Sequence, residues 1–279
     1  MITAVQQDYI RDHAYVPEHL PHYVTAISET EPFLFGDFLA YAKKDHLIFI
    51  GYPLKETFQE KQMRTALEEA IKRLKPQTVA LTAPTIPSAI NDRGHPANDC
   101  YYRIDLSALS VSQKVRHMLN RAGRELSVER GGNFDEEHRR IVDNFLKAHP
   151  VDEGTRFIFQ RIDKYLSSSA TAWIFDARNT RGELAAFDVV ELWPKCYTIC
   201  MFNFSSDALP VPGASDLLLF EVIQQTKRDG KKYINLGLGI NPGATFFKKK
   251  WGGQVFLPYS FCLCYPSGKE IVDKLLPRL

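Results

Sequence analysis

The sequence predicts a mixed α/β fold, and three observations carry that reading. Short runs of aromatic and β-branched residues alternate with longer segments whose apolar residues recur at the helical period. The order strand, strand, strand, helix, strand occurs once in each half of the chain. The 279 residues are 44% hydrophobic and 24% charged, which is enough apolar surface for a sizeable core and too much for wholesale disorder.

In the first half, strands are expected at residues 23–27, 32–42 and 47–52, with Lys43-Lys44-Asp45 as a turn. A helix is expected over residues 58–75, because Met63, Ala66, Leu67, Ala70, Ile71 and Leu74 share one face and Glu, Lys and Arg occupy the other. Pro76 stops it, and residues 78–83 read as a buried strand. Pro84, Pro87 and Pro96, with Gly94 and Asn91-Asp92, then mark a linker at residues 84–99. The expected boundary divides the chain into residues 1–99 and 100–279.

The second half opens with a strand at residues 100–106, followed by helices at 112–126 and 135–148. Their apolar faces are Val115, Met118, Leu119 and Ala122, then Ile141, Val142, Phe145 and Leu146. The stretch up to Ser169 carries no clear period. Strands follow at residues 171–177, 183–192 and 196–204, joined through Asn179 to Gly182 and Trp193-Pro194-Lys195. A helix containing Leu217, Leu218, Phe220, Val222 and Ile223 ends near Gly230, and residues 233–238 form the next strand. The repeat is one of architecture, since no residue string recurs.

Composition narrows the function. Thirty-five Lys and Arg against 33 Asp and Glu leave a net charge of +2, which supplies no broad basic field for duplex nucleic acid. The first twenty residues are interrupted by Gln, Asp, Arg and His, so no secretion signal is expected. No apolar run approaches the roughly 20 residues of a membrane-spanning helix, so no integral membrane segment is expected and a cytoplasmic location is. The five cysteines (Cys100, Cys196, Cys200, Cys262, Cys264) form no Cys-x-x-Cys pair and no zinc spacing, and read as reduced. Cys262 and Cys264 should share one strand face. The eight histidines give no metal spacing, no metal site is expected, and no Gly-x-Ser-x-Gly elbow supports a hydrolase.

Candidate site residues gather in the last third. Gly213 and Ala214 open a helix whose free amides suit a phosphate or carboxylate. Asp216 in that first turn reads either as an ordinary helix-start residue or as the partner of a substrate amine. In residues 233–253, Gly237-x-Gly239 lacks the third glycine of a dinucleotide fingerprint, which sets aside NAD and FAD. Lys248, Lys249 and Lys250 read most simply as a solvated face. Their setting between Phe246-Phe247 and Trp251 makes a shielded ammonium at Lys248 a candidate for oxyanion stabilisation, with Trp251 as its shield. Lys250 and Asn235 join Asp216 as candidate substrate-binding residues. Asp188, flanked on its strand face by Ala186 and Val190, is a candidate base, with Glu183 and Glu191 on the opposite face. Arg116, Arg121 and Arg124 read as a solvated basic face, with Arg121 the candidate contact for an anionic acceptor. Neither Lys248 nor Asp216 is expected to fill core volume.

The string GASDLLLFEVIQQTKRDGKKYINLGLG at residues 213–239, the element FFKKKWGG at 246–253 and the strand ending CLCYP resemble one family. They look like the C-terminal half of Gcn5-related N-acyltransferase (GNAT) folds of the aminoacyl-transferring branch, which includes the FemABX enzymes and the catalytic domain of lysyl-phosphatidylglycerol synthases. KVRHMLNRAGRELSVERG at residues 114–131 is similar to the Arg-rich helix and strand that open the second repeat of the Fem group. The resemblance spans about residues 100–266.

It implies tandem GNAT-like mixed sheets with flanking helices, and transfer of an activated acyl group to an amine or hydroxyl on a small-molecule acceptor. Lys248 and Asp188 would be catalytic, and Phe202, Asn203, Phe204, Gly213 and Ala214 would hold the donor. Where an acetyl-CoA-binding member carries Gln/Arg-x-x-Gly-x-Gly/Ala, this chain reads Leu209-Pro-Val-Pro-Gly-Ala-Ser-Asp. The donor therefore stays open between acyl-CoA and aminoacyl-tRNA, and a non-catalytic binding module is the alternative.

Overall fold

The computed structural model describes residues 2–55, 57–87, 97–131 and 133–265. Helix α1 (Ala4–His13) starts at a capping box of Thr3 and Gln6, and a short 3-10 turn (Pro17–His19) leads into α2 (Pro21–Ser28). Strands β1 (Glu31–Phe35), β2 (Phe38–Lys43) and β3 (His46–Ile50) precede α3 (Glu60–Leu74) and β4 (Thr78–Ala83). Then come β5 (Ala97–Asp105), α4 (Gln113–Ala122), β6 (Leu126–Gly131), α5 (Glu136–Ala148), α6 (Glu153–Phe159) and α7 (Ile162–Ser168). The chain continues through β7 (Ala172–Asn179), β8 (Leu184–Glu191), β9 (Tyr197–Ser205), α8 (Ala214–Arg228), β10 (Tyr233–Leu238), α9 (Pro242–Lys250) and β11 (Gln254–Cys264).

All eleven strands form one mixed sheet in the order β1-β2-β3-β4-β11-β5-β10-β9-β8-β7-β6. The order is nearly palindromic. In the first half an antiparallel meander β1-β2-β3 is followed by α3, and β4 returns parallel to β3. In the second half the meander β7-β8-β9 is followed by α8, and β10 returns parallel to β9. The strand after each unit crosses to the other: β5 pairs with β10, and β11 pairs with β4. Those two crossing strands pair antiparallel with each other at the centre. Residue 100 therefore falls inside β5, and β11 sits beside the first unit.

Helices α4 and α8 pack on one face of the second half with Val115, Leu218, Val222 and Trp251 in the core, while α2, α5 and α7 cover the other face. Helix α3 covers the first half through Met63, Leu67 and Ala70, the stripe its sequence period indicates.

Three expectations are corrected. Residues 23–27 lie in α2, because Pro21 occupies its first turn and a short apolar run fits either element. The strand expected at 32–42 is a hairpin that reverses at Gly36-Asp37, where Gly36 takes φ +57°. The stretch between Gly239 and Phe246, where no helix was expected, enters α9 at Pro242, capped by the Asn241 side chain. The stretch before Ser169 is helical. Most of the linker at 84–99 lies outside the described residues. All five cysteines are free, with the Cys262 and Cys264 sulfurs 3.3 Å apart on one face.

Candidate active site

Strands β9 and β10 pair over only three residues each: Tyr197 with Tyr233, Thr198 with Ile234, and Ile199 with Asn235. Beyond that point they part. The cause is local to β10, where the Asn235 side-chain oxygen accepts the Gly237 N–H at 2.7 Å and Gly237 adopts φ +77°. A side chain that takes a ladder donor, beside a left-handed residue, ends the pairing. Strand β10 bends to β5, with Leu238 opposite Tyr101, while β9 stays on β8 through a bulge at Met201. The result is a fork whose β9 arm beyond Ile199 has no strand neighbour on the inner side among the described residues, leaving backbone groups available to a ligand.

Lys248 reaches the fork from α9. It is only 8% exposed, its ammonium donates to the Leu238 carbonyl, and it lies 5.9 Å from the Tyr102 ring. A Cβ at Gly237 would stand 3.8 Å from both Lys248 Nζ and the Cys200 carbonyl, in ordinary van der Waals contact with each. Burial lowers the ammonium to about 8, opposed by Cys200 and Asp99.

Asp188 stands on β8, behind the β9 arm, opposite Asn203 in the β8–β9 ladder. Its carboxylate is 5% exposed and accepts a hydrogen bond from the Asn203 amide. Burial raises it to about 7, against the lowering effect of that bond. Asn203 is exposed and accepts the Ser215 hydroxyl at 3.2 Å, which links Asp188 to the first turn of α8. Burial pushes the Cys200 thiol up, and it feels the charges of both Asp188 and Lys248.

The structure thus brings Lys248, Asp188 and Asn203 to one fork. Other candidates stand differently. Phe202 and Phe204 contribute backbone to the β9 arm, while their rings pack on the opposite face against Phe159. Asn235 is fully buried and donates to the Tyr15 carbonyl at 2.7 Å, which ties β10 to the N-terminal segment. Asp216 and Lys250 pair at 2.6 Å, and the Trp251 indole donates to Asp216 at 2.8 Å. Trp251 therefore engages Asp216, where the sequence pointed to a shield for Lys248. Gly213 and Ala214 do open α8, but Gly213 backs onto α4, where a Cβ would meet the Met118 carbonyl at 3.1 Å. The Ala214 N–H bonds the Val211 carbonyl at 3.1 Å. Arg121 is exposed on α4.

Sequence reading missed Cys200, Ser215 and Asp99. Asp99 accepts the Gly239 and Ile240 N–H groups at 3.0 and 2.8 Å and fixes the turn into α9. Strand pairing brings it there from 140 residues away, and no spacing rule reports that. Among the described residues there is no cluster of three or more metal-ligating side chains, and no helix is long and apolar enough to cross a membrane. A cavity of about 430 Å³ lined by Asp105, Lys227 and Lys232 lies at the opposite end of β10, beside Tyr233, away from the fork.

No protein-family model matches the sequence, and no curated protein matches it either. Solved structures do match. L-PGS from Bacillus licheniformis superposes with a TM-score of 0.60 at 15% identity, over 98% of this chain and 96% of that one. FemX gives 0.59 at 9% identity over 93% and 96%. A tandem GNAT protein from the clavulanic acid biosynthesis pathway gives 0.53 at 10% over 95% of each chain. At such identities the likeness is one of fold, and the chain has a GNAT-like fold of the type found in FemX and L-PGS.

Proposed function

We propose that this chain is an acyl- or aminoacyltransferase that moves an activated acyl group from an ester or thioester donor onto an amine or hydroxyl of a small acceptor. The carrying observation is the β9–β10 fork, with a buried carboxylate on β8 behind one arm and a buried ammonium held against the other. The donor carbonyl would lie along the inner edge of β9 near residues 202–204. Asp188 would accept the proton of the attacking amine or hydroxyl, while a β9 amide and Lys248 would carry the negative charge gained by the carbonyl oxygen. The bond to the donor's oxygen or sulfur then breaks, and that atom leaves with a proton. Positioning does most of the work, and no covalent enzyme intermediate is needed.

In this reading residues 1–99 and 100–279 are two GNAT-like units, β11 of the second pairs with β4 of the first, and the working site is in the second. The stretch Leu209 to Asp216 before α8 departs from the acetyl-CoA phosphate loop, which weighs against acetyl-CoA as the donor. Aminoacyl-tRNA, the other activated donor, suits the likeness to FemX and L-PGS, and either donor places the reaction in the cytoplasm. A second reading, a non-catalytic binding module, is favoured by the start of α8, where Asp216 and the Ala214 amide are satisfied within the chain.

Native mass spectrometry of freshly purified protein, alone and after incubation with acetyl-CoA or pooled aminoacyl-tRNA, separates the readings. A donor that is retained and discharged on adding acceptor extract supports transfer. A ligand retained unchanged supports the binding module.

A further inference from the structure

We propose that Cys262 and Cys264 form a dithiol chelation site for a thiophilic trivalent metalloid, an arsenic or antimony centre that bridges the two sulfurs. The inference lies outside the transferase reading and does not rest on it.

The site follows from strand geometry. Side chains two residues apart in a strand project from one face. Both thiols stand on the face covered by α3, at the margin of the cluster that contains Met63, Leu67 and Ala70. The alternate residues Phe261, Leu263 and Tyr265 project from the other face and are exposed. Antiparallel pairing with β4 sets Cys262 opposite Leu81 and Cys264 opposite Val79, in an unbroken register from Ser260 to Cys264. The backbone that carries the thiols is therefore held on the β4 side, and the two sulfurs lie 3.3 Å apart. A cysteine that only fills an apolar core is commonly sealed from solvent, whereas both of these are half-buried free thiols.

Their contact also prepares one sulfur to react. When the first proton leaves, the remaining S–H donates to the thiolate. That bond lowers the Cys264 thiol against the effect of burial, and the same bond holds Cys262 up. The thiolate is the form that attacks a thiophilic centre.

Ligand number and distance select the class of guest. Structural zinc takes four ligands, and among the described residues no group of three or more His, Cys, Asp or Glu side chains is placed to hold a metal. A linear two-coordinate ion with metal–sulfur bonds of about 2.3 Å needs sulfurs about 4.6 Å apart. A disulfide fits poorly, because two strand residues span about 6.6–6.8 Å between Cα atoms, at the upper limit of what an S–S bond bridges. One inserted atom lengthens the bridge and relieves that mismatch. With bonds of about 2.3 Å, sulfurs 3.3 Å apart subtend about 90° at the inserted atom. Pyramidal trivalent arsenic and antimony bond near that angle. The step needs no oxidant. An organoarsenic oxide, R–As=O, forms two As–S bonds as its arsenic–oxygen bond and both S–H bonds break. The oxygen leaves as water with the two thiol protons, and arsenic stays trivalent.

The test treats the reduced full chain with one equivalent of phenylarsine oxide and washes it with excess 2-mercaptoethanol. Thiols still open to N-ethylmaleimide after denaturation are then mapped by peptide mass spectrometry. The native chain should retain one phenylarsenic group, Cys262 and Cys264 alone should be shielded, and 2,3-dimercaptopropanol should strip the group. Cys262→Ser and Cys264→Ser each leave a single thiol, whose adduct a monothiol exchanges away, so retention should fall at least tenfold in either. Shielding is read on the native chain, so the test stands even if neither variant folds. No retained adduct would make the pair two packing residues and overturn the proposal. Shielding that maps to Cys100, Cys196 or Cys200, or undiminished retention by either folded serine variant, would overturn it as well.

Discussion

The Trp251 indole N–H donates to the Asp216 carboxylate at 2.8 Å, and this buried pair fastens the first turn of α8 to the end of α9. Lys250 completes it at 2.6 Å, so the helix that carries Lys248 is held by a residue 35 positions earlier. The sequence led us to expect Asp216 at the surface of the cleft, yet it is 4% exposed.

Asp216→Ala should therefore destabilise the fold by about 2–3 kcal/mol, because it strands a buried indole donor and a largely buried ammonium. Thermal unfolding followed by circular dichroism measures this, and an unchanged melting temperature would contradict the clamp.

The fork should give transfer a narrow pH window. Asp188, raised to about 7, acts as a base only when ionised, so the rate should climb as pH passes that value. Lys248, lowered to about 8, stabilises an oxyanion only when protonated, so the rate should fall above that value. A bell-shaped profile of kcat/KM between these limbs is expected. Rates that stay flat from pH 6 to 9 would separate both groups from the chemistry.

Asp188→Asn should lose transfer and gain stability. A carboxyl with a raised folded value costs nothing while protonated, and its cost grows as pH rises from the unfolded value towards about 7. Asparagine removes that cost, so at pH 8 the variant should be more stable by about 2–4 kcal/mol, and no more stable at pH 4. Urea unfolding at the two pH values checks the difference. Equal gains at both would assign the effect to packing.

Glu191 behaves in the opposite sense. Burial alone would raise its carboxyl, but hydrogen bonds from His22, Thr171 and Tyr165, with the His22 charge, hold it at about 2. A depressed folded value stabilises above the unfolded value near 4.5 and is lost as pH falls towards 2. Glu191→Gln should thus cost about 3 kcal/mol at pH 7 and little at pH 2, as read from unfolding curves. A cost independent of pH would point to shape alone.

Gly237→Ala tests the geometry of the fork. A left-handed φ of +77° costs alanine about 1–2 kcal/mol, and the added methyl lies 3.8 Å from Lys248 Nζ. Transfer should fall more steeply than the melting temperature. Proportional losses would make Gly237 a structural glycine only.

The fold was legible where one period ran long enough, as in α3, whose stripe of Met63, Leu67 and Ala70 is the observed core face. It was illegible where a short apolar run fitted two elements, as at residues 23–27, or where two residues, Gly36-Asp37, reversed a strand. The site divides in the same way. Lys248 and Asp188 stood out because a charge among aromatic or apolar neighbours is unusual in the string itself. The Asp216–Trp251 clamp and the tie of Asn235 to the Tyr15 carbonyl depend on contacts between residues far apart in sequence, and no local pattern encodes them.

The central claim is that acyl transfer takes place at the β9–β10 fork. Its most direct test measures movement of label from radiolabelled aminoacyl-tRNA or acetyl-CoA into an extract of small molecules and lipids, for the native chain, Asp188→Asn and Lys248→Ala. We expect transfer from one of the two donors, reduced about 100-fold or more in each variant while both remain folded. No transfer from either donor, or undiminished transfer by both folded variants, would contradict it.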